Sequence, residues 1–246
     1  MFRHKGKGRT FSHNLKLASI LSTVAGIVNI TGVLSVNTLT TNVTGHFAFF
    51  SEQLFLKNYH ASITFLLFIL SFLFGAFISG LLTEWNYKRK PFASYGLPLL
   101  IEASLLSAVG ILSTFTTLQD PTLRLLLSFS LLFAMGLQNA LVTRVSQSVV
   151  RTTHLTGLFT DLGIELSQLF FYRERSERAK LNKNIFLKMM IVSFFFLGGI
   201  IGGFSYQLLQ IKTLFFAVAL LCFALWYDNL LYRYYNLKRR FIHRQN

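Results

Sequence analysis

Long runs of apolar residues separated by short polar segments dominate this chain. Six runs reach the roughly 20 residues that an α-helix needs to cross the hydrocarbon core of a bilayer. None of the three prolines falls in the middle of a run. The pattern therefore predicts six transmembrane helices, near 16–38, 61–83, 95–117, 122–143, 185–207 and 211–232.

A short polar motif, T-x-x-T-G, follows the first run and occurs again after the fourth. The first copy is T-N-V-T-G at residues 41–45 and the second is T-H-L-T-G at 153–157; we call them the first and second TG motifs. Flanking segments match in the same order, with an offset that grows from 110 to 123 residues. The matched flanks are 26–29 with 136–139 and 74–80 with 197–203. The chain therefore reads as two copies of one unit.

Each copy contains three predicted helices, so the second copy must enter the membrane upside down relative to the first. This is the inverted-repeat arrangement of many secondary transporters. We predict an all-α integral membrane protein, a single transmembrane domain over 1–246, with a TG motif after the first helix of each repeat. Repeat one covers about 16–117 and repeat two about 122–232. Re-entrant or partly unwound motifs would approach each other across the midplane, each followed by a short amphipathic helix, near 47–57 and 159–172.

Composition supports a membrane protein. Hydrophobic residues make up 52% of the chain and charged residues 13%, whereas a soluble domain carries about 25% charged residues. The basic N-terminus could start a signal peptide, but the run behind it lacks a small-x-small cleavage site. We therefore expect a retained first helix.

The net charge of +15 is distributed unevenly. All but three of the 24 Lys and Arg residues fall in the two tails, between the second and third runs, or between the fourth and fifth; the exceptions are Lys57, Arg124 and Lys212. Because cytoplasmic segments are enriched in Lys and Arg, both termini are predicted to be cytoplasmic. The basic tails (1–15 and 233–246) and a basic loop near 173–184 should contact anionic lipid head groups, and nucleic acid is not an expected partner.

The motifs resemble those of the YoaK-type family of small bacterial six-span membrane proteins. The resemblance rests on G-x-x-N followed by T-N-V-T-G, on G-L-Q-N-A at 136–140, and on the later T-x-x-T-G. It implies a multi-pass protein of the bacterial cytoplasmic (inner) membrane, and it brings no known reaction. His46 stands where an Asn is expected after the first motif.

Polar side chains around the two motifs are the candidate binding site for a small solute. Hydroxyls, amides and unwound backbone could bind it, but the same residues could equally cap helix ends at an interface. The intramembrane amides could also simply tie helices together. The candidates are Asn29, Thr41, Asn42, Thr44, Gly45, Gln138, Asn139, Thr153, Thr156 and Gly157.

Three acidic residues and two pairs of small residues have separate predicted roles. Glu102 is the best candidate for proton or cation coupling if it lies inside the membrane, and an interfacial carboxylate otherwise. Asp161 and Glu165 could form an acidic mouth, or pair with Arg151 or Arg173. Two small-residue pairs have the spacing for close helix packing, Ala76 with Gly80 and Gly199 with Gly203.

The chain lacks the sequence signatures of common enzymes and cofactor sites. No metal-ligand spacing occurs among the six His, so we expect no metal, no cofactor and no catalytic residue. The leading hypothesis is a small-solute transporter or exporter that works by alternating access, with a homodimer plausible. The alternative is a non-transporting scaffold or regulator that binds a partner or lipid through basic cytoplasmic faces. An intramembrane enzyme on a lipid would need Asp161, Glu165 or a His as acid or base.

Overall fold

The computed structural model describes residues 10–89, 96–115 and 120–242, with side chains described except at 86–89 and 231–242. Within these ranges the secondary structure is entirely helical. Most of the predicted N-terminal tail, the side chains of the predicted C-terminal tail and the basic side chains between the second and third predicted spans lie outside the described residues.

The described chain forms eight α-helices and one short 3₁₀ turn. They are α1 (Phe11–Val36), α2 (Val43–Phe55), α3 (Tyr59–Arg89), α4 (Gly96–Phe115), α5 (Pro121–Val145), α6 (Leu155–Gln168), α7 (Arg175–Leu209) and α8 (Leu214–Ile242), with the 3₁₀ turn at Gln210–Thr213. Local sequence explains several ends. Asp120 accepts a hydrogen bond from the Thr122 amide (2.9 Å) and Pro121 opens α5, as expected for cap and first-turn residues.

Five helical stretches in the described ranges are long and apolar enough to cross a membrane. Four of them are α1, the first 27 residues of α3, α4 and α5, and the fifth runs over Arg175–Leu230. Their composition is compatible with a multi-pass membrane protein. The prediction of six separate spans is not confirmed by length and composition, because two predicted spans fall within this last stretch.

The chain nevertheless reverses direction between α7 and α8. Gln210 has φ 51° and ψ −135°, a conformation outside the helical region. Met190 of α7 and Phe223 of α8 line one apolar cleft beside the start of α1, and the Lys16 ammonium donates a hydrogen bond to the Tyr227 hydroxyl (2.7 Å). Residues on both sides of the turn therefore return to the same end of α1, so α7 and α8 are antiparallel.

Helices α1 and α7 run in the same direction and meet through glycine. A Cβ at Gly26 would overlap the Phe195 carbonyl, and one at Gly198 would overlap the Thr23 carbonyl. Nearer the start of both helices, the rings of Phe11 and Phe186 lie 6.3 Å apart. Only glycine permits backbones to approach this closely.

Helices α3 and α5 form a second parallel pair of the same kind. A Cβ at Gly136 would overlap the Phe72 carbonyl, and one at Gly75 the Phe133 carbonyl. The Ser71 hydroxyl donates to the Phe129 carbonyl (2.8 Å). These contacts correct the predicted small-residue pairs, because the space on the Cβ side of Gly80 and Gly199 is open. The close contacts fall at Gly75 and at Gly198 and Gly202 instead.

Helices α1 and α5 lie at the centre of the molecule and run antiparallel. The Gln138 amide donates to the Leu21 carbonyl (2.9 Å), and at the opposite ends the Thr38 and Ser128 hydroxyls are 2.8 Å apart. Both helices contribute many fully buried side chains, whereas α3 and α7 carry exposed Leu and Phe on their outer faces. An apolar outer surface over a packed centre is the distribution expected of a protein surrounded by lipid.

Candidate functional site

The first TG motif does not continue outward from α1 but folds back along it. After α1 ends at Val36, Asn37 adopts a left-handed conformation (φ 52°) that reverses the chain. The Asn29 side-chain oxygen then accepts hydrogen bonds from the Thr41 amide (3.3 Å) and hydroxyl (3.0 Å). Because Asn29 lies seven residues before Val36, the segment returns by about 10 Å along the helix axis.

Helix α2 starts where the chain has turned back along α1, and it runs toward the C-terminal end of α1. Asn42 is its N-cap, and the side-chain oxygen accepts from the Gly45 amide (2.9 Å). Farther along α2, His46 contacts Phe68, and the Phe50 carbonyl accepts from the Ser62 hydroxyl (3.3 Å). The cap interpretation of the first motif is therefore correct for Asn42, and α2, with 13 residues, is too short to cross a bilayer.

The second TG motif follows α5 and precedes α6 in the same way. Gln147 and Ser148 have positive φ values (55° and 65°) and reverse the chain. His154 is the N-cap of α6, but it makes no side-chain cap hydrogen bond. The His154 side chain therefore does not cap α6, whereas the Asn42 side chain caps α2. Gly157 takes ordinary helical geometry, with the His154 ring against it.

One cavity of about 760 Å³ brings the two motifs together. It lies between the starts of α2 and α6 on one side and α3 and α5 on the other. Its lining is polar near the motifs and apolar against α3. The lining residues are Thr41, Asn42, Val43, Thr44, Phe47, Ile69, Phe72, Leu73, Ala76, Asn139, Thr143, Arg151, Thr153, His154, Leu155 and Thr156.

Six of the ten predicted binding residues line this cavity: Thr41, Asn42, Thr44, Asn139, Thr153 and Thr156. The other four, Asn29, Gly45, Gln138 and Gly157, do not. Asn29 does not line the cavity itself, but its hydrogen bonds hold the lining residue Thr41 in place. Gln138 is fully buried and ties α5 to α1, as a structural amide would.

Glu102 lies away from the cavity. It is fully buried in α4, a helix that packs against α5 and α8. Neither carboxyl oxygen has a hydrogen-bond partner among the described residues. Glu102 thus lies inside the helical bundle, its role in coupling stays a prediction, and the structure does not join this acid to the candidate binding residues.

The acidic face of α6 is engaged elsewhere. Lys188 of α7 lies 2.6 Å from Glu165 and 3.6 Å from Asp161. The predicted pairing of these carboxylates with Arg151 or Arg173 is therefore wrong. Lys188 was not expected to be the partner, because its place relative to α6 depends on how the α6–α7 hairpin packs.

His46 has a structural role beside the cavity. It is 2% exposed, its Nε2 lies 2.8 Å from the Leu39 carbonyl, and its ring stacks with Phe65 and meets Phe68 edge-on. Burial lowers the pKa of His46 below its ordinary value of 6.5. The imidazole is therefore neutral at pH 7 and donates its Nε2 proton to Leu39.

The sequence alone missed part of the lining. Arg151, His154 and Thr143 were not among the predicted binding residues, and neither was the apolar wall contributed by α3. A signal for Arg151 was available, since it lies two residues before the second motif. Within the described ranges, no group of three or more His, Cys, Asp or Glu could hold a metal ion.

Comparison with known proteins places the chain in a family. Residues 17–227 match the model of DUF1275, a family of proteins of unknown function. The chain belongs to the DUF1275 family. No curated protein and no solved structure matches it. The match is consistent with the resemblance to an uncharacterised membrane family, while the YoaK-type name stays a prediction.

Proposed function

We propose that this DUF1275 protein is a small-solute transporter or exporter whose binding site is the cavity between the two TG motifs. The observation that carries the proposal is that residues of both motifs, 112 residues apart in sequence, line the same cavity. In hydrocarbon, irregular backbone is tolerated where it is packed in protein or lines a wet cavity. A pair of half-length helices that start at such a cavity is typical of transporter binding sites.

An inverted repeat of six spans supports alternating access. The contact of Gly26 with Phe195 recurs as Gly136 with Phe72, at the offsets of 110 and 123 residues found in the sequence. The contact of Gly198 with Thr23 recurs in the same way as Gly75 with Phe133. The parallel pairs α1–α7 and α3–α5 would exchange under the proposed pseudo-two-fold axis, and the reversal at Gln210 would separate the fifth proposed span from the sixth. Two such halves can rock about a central site.

Orientation and compartment belong to the same proposal. By the positive-inside rule, the excess of Lys and Arg in alternate connections favours cytoplasmic termini, and the resemblance to the YoaK-type family favours a bacterial inner membrane. The first motif then opens toward the outside and the second toward the inside. No catalytic step is part of the proposal, and the expected surroundings are anionic lipid, with a homodimer plausible.

Glu102 is the proposed coupling residue. An ionisable side chain buried among membrane helices without a partner is a candidate for reversible proton binding. Its separation from the cavity means that coupling would act through packing of α4 against α5 and α8. Glu102→Gln, which mimics the protonated acid, should remove the dependence of uptake on a proton gradient while leaving solute binding intact.

Cysteine accessibility tests the proposal. Single cysteines are placed at Thr41, Thr44, Thr153 and Thr156 in a Cys222→Ser background, since Cys222 is exposed. Membrane-impermeant thiol reagents are applied from each side. Ser22→Cys is the matched unreactive control, because Ser22 is fully buried in α1.

Alternation predicts that positions in both motifs react from both sides, and that a transported solute protects them. Reaction of each motif from one side only would make the motifs turns at opposite interfaces and would remove the transporter proposal. Solute uptake into liposomes that contain the purified protein gives an independent measurement.

A scaffold or regulator is the second candidate, favoured by the turn between α6 and α7. Phe170 and Phe171 are 83% and 82% exposed and are followed by the exposed basic side chains Arg173, Arg175 and Arg178. Exposed aromatic and basic residues together suit an anionic membrane surface. Replacing the three arginines with Gln should abolish a scaffold function but spare transport, whereas Asn139→Ala should do the reverse.

A further inference from the structure

The cavity carries a positive charge that the surrounding protein does not neutralise. Arg151 is the one residue among the described lining residues that is a Lys, Arg, Asp or Glu. It makes no ion pair or hydrogen bond with any described residue. Arg151 is exposed, so its guanidinium is open to a ligand, and an anionic group bound there would form charge-assisted hydrogen bonds with it.

Nearby carboxylates are not available to Arg151. Asp161 and Glu165 are held by Lys188, and Glu84 pairs with Arg144. No acidic residue occurs in the cavity lining. The site therefore keeps a net positive charge and would repel a cationic solute.

The cavity also presents hydrogen-bond donors, which favour an anionic ligand. The Thr153 and Thr156 hydroxyls line it, and α6 begins there with amides that His154 does not cap. The Asn139 side-chain oxygen is buried without a partner, and rotation of this amide by 180° would present its NH₂ group instead. The positive end of the α6 dipole adds to the field of Arg151.

The opposite wall of the cavity is apolar. Phe47, Ile69, Phe72 and Leu73 line it. A volume of about 760 Å³ falls within the range of about 300–1,000 Å³ that is usual for small-molecule sites. A bound solute would thus have an anionic end at Arg151 and an apolar body against α3.

We propose that the cavity binds a small soluble organic anion, with one carboxylate or phosphate group at Arg151 and an apolar body against Phe72 and Leu73. This inference rests on the proposed function, since it names the class of solute for the same site. It assigns the charge selectivity to the second half of the chain alone, because Leu39 occupies the position 112 residues before Arg151.

The test compares ligands of one shape and different charge. The full-length protein is placed in nanodiscs of neutral phosphatidylcholine, and its melting temperature is measured against benzoate, phenyl phosphate, benzamide and benzylamine at constant ionic strength. Benzoate and phenyl phosphate should raise the melting temperature in a saturable manner. Benzamide should act at least tenfold more weakly, and benzylamine should have no effect.

Variants assign the effect to the guanidinium. Arg151→Gln should raise the dissociation constant for benzoate about tenfold or more, Arg151→Lys should have an intermediate effect, and Arg173→Gln should match the wild type. Arg173 is the control because it is an exposed arginine outside the cavity. The melting temperature without ligand shows whether each variant is folded, and Arg151→Lys keeps the test informative if Arg151→Gln is not.

Three results would overturn the inference in different ways. Equal binding of benzamide and benzoate, abolished by Thr153→Val but not by Arg151→Gln, would keep the solute site and remove its charge preference. Stabilisation by phosphatidylglycerol in the nanodisc, lost in Arg151→Gln, without any effect of benzoate would identify a lipid head group as the anion. No binding of any probe together with one-sided cysteine accessibility would remove the solute site itself.

Discussion

The two half-length helices differ in how they are held, although the chain builds them in the same way. Helix α2 packs on α3 through aromatic rings: Phe49 and Phe65 lie 5.2 Å apart, next to the buried His46. At the offsets of 112 and 123 residues, Phe49 and Phe65 become Asp161 and Lys188, which form part of the ion-pair cluster between α6 and α7. One backbone arrangement therefore accepts either an apolar or an ionic contact.

The two motifs also differ in whether their polar side chains have hydrogen-bond partners. Asn29 is satisfied by the first motif, and Asn42 caps α2. At the equivalent positions, the Asn139 oxygen has no partner and His154 caps nothing. At these two positions the first half satisfies its hydrogen bonds, whereas the second half leaves groups available for a ligand. The two motifs share a backbone arrangement but differ in chemistry, and the helical wall of their common cavity comes from α3 and α5.

The ion pair of the second half should give the largest effect on stability. Lys188→Met leaves Glu165 unpaired with only 14% of its side chain exposed, which should cost about 3 kcal/mol. The double variant Lys188→Phe with Glu165→Gln installs the residue types of Phe65 and Gln53 and should recover most of the loss. Thermal unfolding in detergent measures both. A double variant as unstable as Lys188→Met would show that the two hairpins are not interchangeable.

The glycine crossings should lose stability equally in both halves. Gly26→Ala and Gly136→Ala force Cβ atoms against backbone carbonyls, and overpacking of this kind costs about 1–3 kcal/mol. Gly80→Ala and Gly199→Ala are matched controls with open space, and they should be neutral or slightly stabilising. Melting temperatures of the four proteins give the comparison. Loss in only one of the two crossings would break the structural equivalence of the halves.

The caps should respond in opposite ways to substitution. Asn42→Ala removes the bond to the Gly45 amide and should destabilise by about 1 kcal/mol, whereas His154→Asn supplies α6 with a cap and should stabilise by up to about 1 kcal/mol. Hydrogen exchange of the first-turn amides of α2 and α6 reports each change locally. Asn42→Ser, which retains a cap acceptor, is the control, and faster exchange at α6 in His154→Asn would contradict the interpretation.

The smallest effect concerns pH and is confined to the first half. Because burial lowers the pKa of His46 in the folded protein, its contribution to stability is present above its ordinary value of 6.5 and is lost as pH falls below that value. His46→Leu copies Leu158 at the equivalent position and should flatten the decline in melting temperature between pH 7.5 and 5.5. An unchanged pH profile in this variant would assign the decline to other groups.

Much of this architecture could be predicted from local sequence. The apolar runs predict long helices, Asp120 and Pro121 mark the start of α5, and the repeated T-x-x-T-G and glycine segments indicate two similar halves. These signals are local because helix formation and capping depend on residues within a few positions of each other. Helices α2 and α6 start and end several residues earlier than predicted, because their first turns lie inside the motifs.

Tertiary packing alone decided the site. Nothing in the order of residues shows that the first motif turns back to Asn29, that Lys188 pairs with the carboxylates of α6, or that Arg151 lines the same cavity as Asn139. Each depends on distances between helices far apart in the chain, set by glycine crossings that bring backbones together. The sequence by itself determined two similar polar motifs in an apolar helical chain; only the tertiary structure decided that they share one cavity, and that its charge comes from one half.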